Sequence, residues 1–168
     1  MGCTIRKAML KDAHEYAACH ISSWRSAYKG IVPDEYLDSL SAEQKTERFR
    51  QNVAEPNGFD YYCAVDGGKI IGVLIIGPSR DDDKPDAGEI TAIYLLEEFW
   101  SRGFGKGMMR YAMDALKCMG HHEGIVWVLE ENNRARRFYE KCGFALDGAK
   151  MEIELAKPLT VVRYAMIL

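Results

Sequence analysis

Apolar residues recur along the 168-residue chain with two periods, near 3.6 and near 2, and the switches between them mark its elements. After a short alternating stretch around "TIRKA", Ala17, Ile21, Trp24 and Tyr28 fall on one helical stripe. Asp12 and Glu15, three apart ahead of that stripe, read as a capping box. "PDEYLDSL" and "SAEQKTERFRQNV" predict a further helical pair, with Ser41 and Gln44 as a second box. "YYCAVDGGKIIGVLIIG" is two apolar runs about Asp66, Gly67 and Gly68, whose glycines supply the positive φ of a tight hairpin. "EITAIYLL" (89–96) and "GIVWVLEEN" (124–132) predict strands. Between them Met108, Met109, Ala112, Ala115, Leu116 and Met119 face one side of a helix, and Lys106, Arg110, Asp114 and Lys117 another. Ala135, Phe138, Tyr139 and Cys142 form a last helical stripe that Gly143 ends, and "TVVRYAMIL" predicts a final strand paired with "FALDGAKMEIEL". Helical and strand patterns alternate without repeat, low-complexity tract or long linker, which predicts an α/β (α+β) layered structure forming one domain over residues 1–168.

Composition narrows the function classes. The chain is 48% hydrophobic and 28% charged and has no apolar run of the roughly 18 residues that would span a bilayer, so no membrane partner is expected. A net charge of -3 gives no bulk positive field toward nucleic acid. Cys3, Cys19, Cys63, Cys118 and Cys142 are odd in number, scattered and without CxxC pairs, and no secretory signal precedes them; reduced thiols and a cytoplasmic location are expected. Met1 and Gly2 open the chain, but Arg6 stands where a myristoylation motif needs Ser or Thr. His14, His20, His121 and His122 lack the spacing of metal ligands, and no metal is expected.

The stretch "SRGFGKGMM" places Gly103, Gly105 and Gly107 between a predicted strand and a predicted helix. The first N–H groups of a helix lack internal partners and its dipole favours negative charge, so such a turn is built to hold an anion, above all a phosphate. Glycines let the backbone approach the guest, and Arg102 and Lys106 add positive charge at the same end. A flexible helix entry without a ligand is the alternative. The spacing matches neither Walker A nor the GxGxxG dinucleotide fingerprint, which counts against ATP and NAD.

About thirty residues later, "ENNRARRFYEKCGF" resembles the NxxAxxxYxxxGF pattern of the GNAT superfamily of acyl-CoA-dependent N-acyltransferases, and Glu89 to Met109 resembles that superfamily's central motif. The resemblance covers nearly the whole chain and is strongest from 89 to 144. It implies a mixed, mostly antiparallel twisted sheet of six to seven strands, flanked by about four helices, with a splay between its two central parallel strands. Acetyl-CoA is the implied co-substrate, its pyrophosphate held by the main chain of Ser101, Arg102, Gly103, Phe104, Gly105 and Lys106, and its pantetheine arm by the backbone of Ile93, Tyr94 and Leu95 and by Asn132. Where the family often carries Gln or Arg, three residues before the first glycine, this chain has Trp100.

By the same resemblance Tyr139 stands near the thioester sulfur as a general acid, and Glu89 falls where some members carry a general base. Read from spacing alone, Tyr139 is a core residue of its helix stripe and Glu89 a solvated strand-end carboxylate. Trp24 and Tyr28 either line the acceptor pocket or simply fill the core. The run Asp81, Asp82, Asp83 reads as a solvated loop, with attraction of a cationic amine as the other reading. Cys142 has no histidine near it in sequence and reads as core. The implied function is transfer of acetyl from acetyl-CoA to a primary amine of a small molecule or peptide by direct attack, with the protein a monomer or homodimer. Acetylation of protein N-termini or lysines, a catalytically silent acyl-CoA sensor, and a nucleotide-binding α/β domain are the competing readings.

Overall fold

A computed structural model describes residues 3–168, so the opening Met1–Gly2 lies outside the described residues. Strand β1 (Thr4–Lys7) leads through a 3-10 turn (Leu10–Asp12) into α1 (Ala13–Tyr28), α2 (Asp34–Asp38) and α3 (Ala42–Ala54). The hairpin β2 (Asp60–Asp66) and β3 (Lys69–Pro78) follows, then β4 (Gly88–Leu95), a 3-10 turn (Glu97–Phe99) and α4 (Phe104–Cys118). The chain closes with β5 (Glu123–Leu129), α5 (Asn133–Lys141), β6 (Ala145–Glu154) and β7 (Pro158–Ile167). These strands form a 7-stranded sheet in the order β1-β2-β3-β4-β5-β7-β6. Only β4 and β5 run parallel; the other five pairings are antiparallel. Among the described residues five α-helices flank the sheet, α2 and α3 being the helical pair predicted from "PDEYLDSL" and "SAEQKTERFRQNV".

The hairpin turn has φ of 57° at Gly67 and 84° at Gly68, the two positive values that a twist-compatible two-residue turn needs. Ser41 caps α3 by accepting from the N–H of Gln44 at 3.2 Å. The first capping box does not form. Asp12 is drawn away by Arg6, whose guanidinium donates to both carboxylate oxygens at 2.7 and 2.9 Å, and it also accepts from the Met9 N–H. Charge-assisted bonds of this kind outweigh a neutral cap. Glu15 instead reaches across to the Ile70 N–H at 2.8 Å, tying α1 to β3. On α4 the stripe Met108, Met109, Ala112 and Leu116 is buried against the sheet, whereas Met119, at the C-cap, is 41% exposed and leaves the predicted face.

The loop expected to be solvated, Asp81 to Asp83, is a clasp around a buried arginine. Arg163 of β7, 4% exposed, donates to Asp81 at 2.8 Å, to Asp83 at 2.8 and 2.6 Å and to Asp147 of β6 at 2.7 Å. Asp81 also accepts from the Trp127 indole at 2.9 Å, so this clasp fixes both the β3–β4 loop and a residue of β5. Removing one partner of a buried ion cluster leaves charge uncompensated. Arg163→Met is therefore expected to lower unfolding stability at neutral pH by roughly 2–3 kcal/mol, below the 3–5 typical of fully buried pairs because Asp83 stays largely in solvent. Arg163 holds the Asp83 carboxyl below the usual range, as Arg6 does for Asp12. A depressed folded-state pKa contributes stability above the unfolded value that is lost as pH falls through the folded one. The gap between wild type and Arg163→Met in denaturant titrations should thus narrow below the ordinary carboxylate range.

Candidate functional site

β4 pairs with β3 along its length but with β5 only at Gly88↔Gly124 and Glu89↔Ile125. Beyond Glu89 the two parallel strands separate, and a cleft of about 470 Å³ opens between them. Backbone polarity of a strand alternates from one edge to the other. The Leu96 N–H donates to Ile71 on the β3 side at 2.9 Å, so the polar groups of Leu95 and Ile93 face the opening. Those of Tyr94 face β3 opposite Val73, which corrects the expectation that all three residues offer backbone there; Tyr94 contributes its side chain instead. The Leu95 carbonyl already accepts from the Trp100 indole at 2.7 Å, leaving the Leu95 N–H and both groups of Ile93.

The glycine turn stands at one end of this opening. Ser101 has φ 60° and Gly103 φ 87°, and Gly103 is the N-cap of α4 with no side-chain cap. The first helical bond runs from the Gly107 N–H to the Gly103 carbonyl, so among the described residues the N–H groups of Phe104, Gly105 and Lys106 have no acceptor. Ser101, Gly103, Gly105 and Lys106 line the cleft. The side chains of Arg102 and Phe104 do not: Arg102 lies 5.6 Å over the Phe99 ring, and Phe104 packs edge-on against the same ring. Their part in an anion site is confined to the main chain. The positive charge expected of Arg102 comes from residues the motif did not single out, Arg134, Arg137 and Lys141. Arg134 lies 3.2 Å over the face of Trp100, so the unusual tryptophan serves as a shelf for a guanidinium at the same end of the cleft. Partial burial lowers the pKa of that guanidinium, since water is excluded and Glu97 offsets only part of the cost.

Tyr139 projects from α5 into the cleft, buried, with no hydrogen bond from its hydroxyl to another group among the described residues. Burial raises its phenol pKa well above the ordinary value, with the phenol of Tyr94 and the thiol of Cys142 adding to the rise. The proton is thus firmly held at neutral pH and free of internal partners. Asn132, at the N-cap of α5, accepts from the Ala135 N–H at 3.1 Å; its amide NH₂ remains for the cleft. Burial also raises the Cys142 thiol, which makes it a poor nucleophile.

Two expected residues stand elsewhere. Glu89 is 1% exposed and does not line the cleft. Its carboxylate accepts from Arg80 three times, at 2.6 and 3.1 Å from the guanidinium and 3.1 Å from the backbone N–H. So bonded, this carboxylate ties β4 to the β3–β4 loop, and neither sequence reading had foreseen the arginine. In Glu89→Gln the acidic limb of a pH–rate profile is expected to persist at its wild-type position; its disappearance would restore the base role. Trp24 sits behind the site, with Lys45 5.6 Å over its ring, while Tyr28, one turn on, lines the cleft. The Tyr28 and Tyr94 hydroxyls meet at 2.6 Å across the gap between α1 and β4. His20 packs 5.1 Å from Tyr94, and burial, with the charge of Lys45, pushes its pKa down to about 3, so it stays neutral. Among the described residues no group of three or more His, Cys, Asp or Glu converges on a metal position, and no helix is long and apolar enough to cross a membrane.

Residues 21–144 match the family model described as "Acetyltransferase (GNAT) family". "Uncharacterized N-acetyltransferase YuaI" of Bacillus subtilis (strain 168) is 32% identical over 130 residues, 77% of this chain and 73% of its own. "Probable N-acetyltransferase Rv2775" of Mycobacterium tuberculosis is 32% identical over 146 residues, 86% of this chain and 80% of its own. The crystal structure of PaiA N-acetyltransferase from Thermoplasma acidophilum in complex with coenzyme A superposes with a TM-score of 0.81 over 100% of both chains at 20% identity, a likeness of fold.

Proposed function

The chain belongs to the GNAT acetyltransferase family and is an acetyl-CoA-dependent N-acyltransferase, and from that premise we propose that it moves acetyl directly to a primary amine, with Tyr139 as the general acid. The observation that carries the reading is the opening of the β4–β5 pair beside the uncapped start of α4. The N–H groups of Phe104, Gly105 and Lys106 suit a pyrophosphate, with Lys106, Arg134 and Arg137 adding charge. A Cβ built on Gly103 would meet nothing within 4 Å, so the approach to those amides is open. Ile93 and Leu95 suit the amides of a pantetheine arm, which would add to the β4 edge as an extra strand.

Acetyl-CoA supplies the activated thioester. The neutral amine attacks its carbonyl and the C–N bond forms; the C–S bond breaks, the departing thiolate takes the Tyr139 proton, and the proton shed by the acylated nitrogen returns through water to the tyrosinate. Charge developing on the carbonyl oxygen is met by a backbone N–H of the 93–95 strand, the Ile93 N–H being unpaired by β3. Proton removal from the incoming ammonium falls to water.

Ligand linkage tests the reading. At a hundredfold excess over Kd a ligand of the folded state adds about 2.7 kcal/mol of stability. Acetyl-CoA is expected to raise Tm by several degrees and ATP or NAD not to; the reverse result would point to a nucleotide domain. Uptake of acetyl-CoA without thiol release over a broad amine panel would point to a sensor.

A further inference from the structure

The two faces of the opened sheet differ in chemistry, and the difference bears on the unidentified amine. On one face Ile93, Leu95, Val126 and Val128 pack with Met108 and Tyr139 under α4 and α5. On the other, covered by α1 and α2, Tyr94 and Trp127 project toward Tyr28. Tyr28, Tyr94 and Trp127 line the cleft there, with the small side chains of Ser23, Ala27 and Ala92 between them.

That chamber carries no counter-charge for a polycation. None of the described residues lining the cleft is Asp or Glu. Three neighbouring carboxylates are engaged elsewhere: Glu89 with Arg80, Asp81 with Arg163 and Trp127, Glu130 with Lys150. Each extra ammonium of a polyamine would therefore enter a partly desolvated site unpaired, at the cost any buried charge carries. Aromatic rings can cage a cation through their π faces, yet all three tryptophans already have a cation of this protein over the ring: Lys45 on Trp24, Arg134 on Trp100 and Arg163 on Trp127. Trp127 also has its N–H committed to Asp81, so what it offers a guest is apolar edge. Polar contact comes from the Tyr28–Tyr94 pair at 2.6 Å: one hydroxyl proton joins the two oxygens, leaving one donor and free lone pairs for an amine. A cleft of about 470 Å³ that must also admit the thioester arm leaves room for a small acceptor.

We infer that the acceptor is a small primary monoamine with an uncharged aromatic or branched apolar body, seated between Tyr28, Tyr94 and Trp127, and not a polyamine. The inference rests on the acetyltransfer reading above. It deepens that reading by naming the substrate class. Ring edges at the 4.5–7 Å spacing of aromatic pairs supply the grip, and the single amine is the only group that needs a polar partner.

The test follows thiol release from acetyl-CoA by the full chain with 2-phenylethylamine, tryptamine and leucinamide on one side and spermidine and putrescine on the other, calorimetry with coenzyme A running beside it. The monoamines are expected to exceed spermidine in kcat/KM by tenfold or more. Ala27→Glu, which puts a carboxylate in the chamber wall, should cut that ratio at least tenfold. Should this variant fail to fold, 2-phenylethylamine is still expected to change the tryptophan fluorescence of the wild-type coenzyme A complex, and spermidine at the same concentration not to. Preferred turnover of spermidine would overturn the substrate class and leave acetyl transfer standing. Coenzyme A uptake with neither turnover nor fluorescence change for the monoamines would also overturn it, whereas absence of coenzyme A uptake would sink the acetyltransfer reading itself.

Discussion

Replacing Tyr139 with phenylalanine is expected to lower kcat by roughly 10²-fold or more while coenzyme A binds as before. The ring stays, so the packing of Tyr139 against Phe144 and Tyr164 stays. What goes is one hydroxyl that has no bond to another described residue and faces the opening between β4 and β5. A hydroxyl that only stabilised the fold would have a partner, and its loss would move Tm more than turnover. Burial raises the phenol pKa, so the acid form persists above its ordinary range. The sign is then fixed: wild-type kcat should show no alkaline fall from this group up to about pH 10, the unperturbed tyrosine value. Steady-state kinetics with a calorimetric Kd for coenzyme A separates the two effects. Unchanged kcat in Tyr139→Phe would remove the acid role.

Gly103→Val is expected to weaken coenzyme A binding tenfold or more, about 1.4 kcal/mol. At φ 87° this residue lies in the left-handed region, where a side chain costs roughly 1–2 kcal/mol and a β-branched one suits worst. No atom stands within 4 Å of a Cβ built there, so the penalty is one of backbone conformation rather than collision. The chain relieves it by turning the first amides of α4 away from their common target. Gly107 supplies the control. It sits inside α4, with open space around its Cβ position and outside the cleft lining, and Gly107→Ala should leave affinity unchanged and add up to about 1 kcal/mol of stability. Equal losses in both variants would mean that the turn's shape is not what binds.

The parts of this architecture that were legible in the sequence are those governed by near neighbours. The Gly67–Gly68 hairpin, the Ser41 cap, the buried stripe of α4 and the placing of Tyr139 on a short helix all follow from spacing. What could not be read are side-chain pairings between different elements and loops, near or far in sequence, which leave no periodic trace. Arg163 reaches Asp81 and Asp83 across some eighty positions, so an acidic run that reads as solvated loop is a clasp around a buried arginine. Glu89 is claimed by Arg80 and Asp12 by Arg6, each guanidinium redirecting a carboxylate from its local role. Trp24 and Tyr28 share a stripe, yet the crossing of α1 over β4 brings only Tyr28 to the opening. The basic residue absent at position 100, where Trp100 stands, is supplied from α5 by Arg134, a stacking contact between segments more than thirty residues apart.

The most direct measurement is a crystal structure of the chain with coenzyme A bound. The pyrophosphate is expected within hydrogen-bond distance of the Phe104, Gly105 and Lys106 amides, the pantetheine along Ile93 and Leu95, and the sulfur beside the Tyr139 hydroxyl. A pyrophosphate held elsewhere, or a sulfur remote from Tyr139 with β4 and β5 zipped together, would contradict the account.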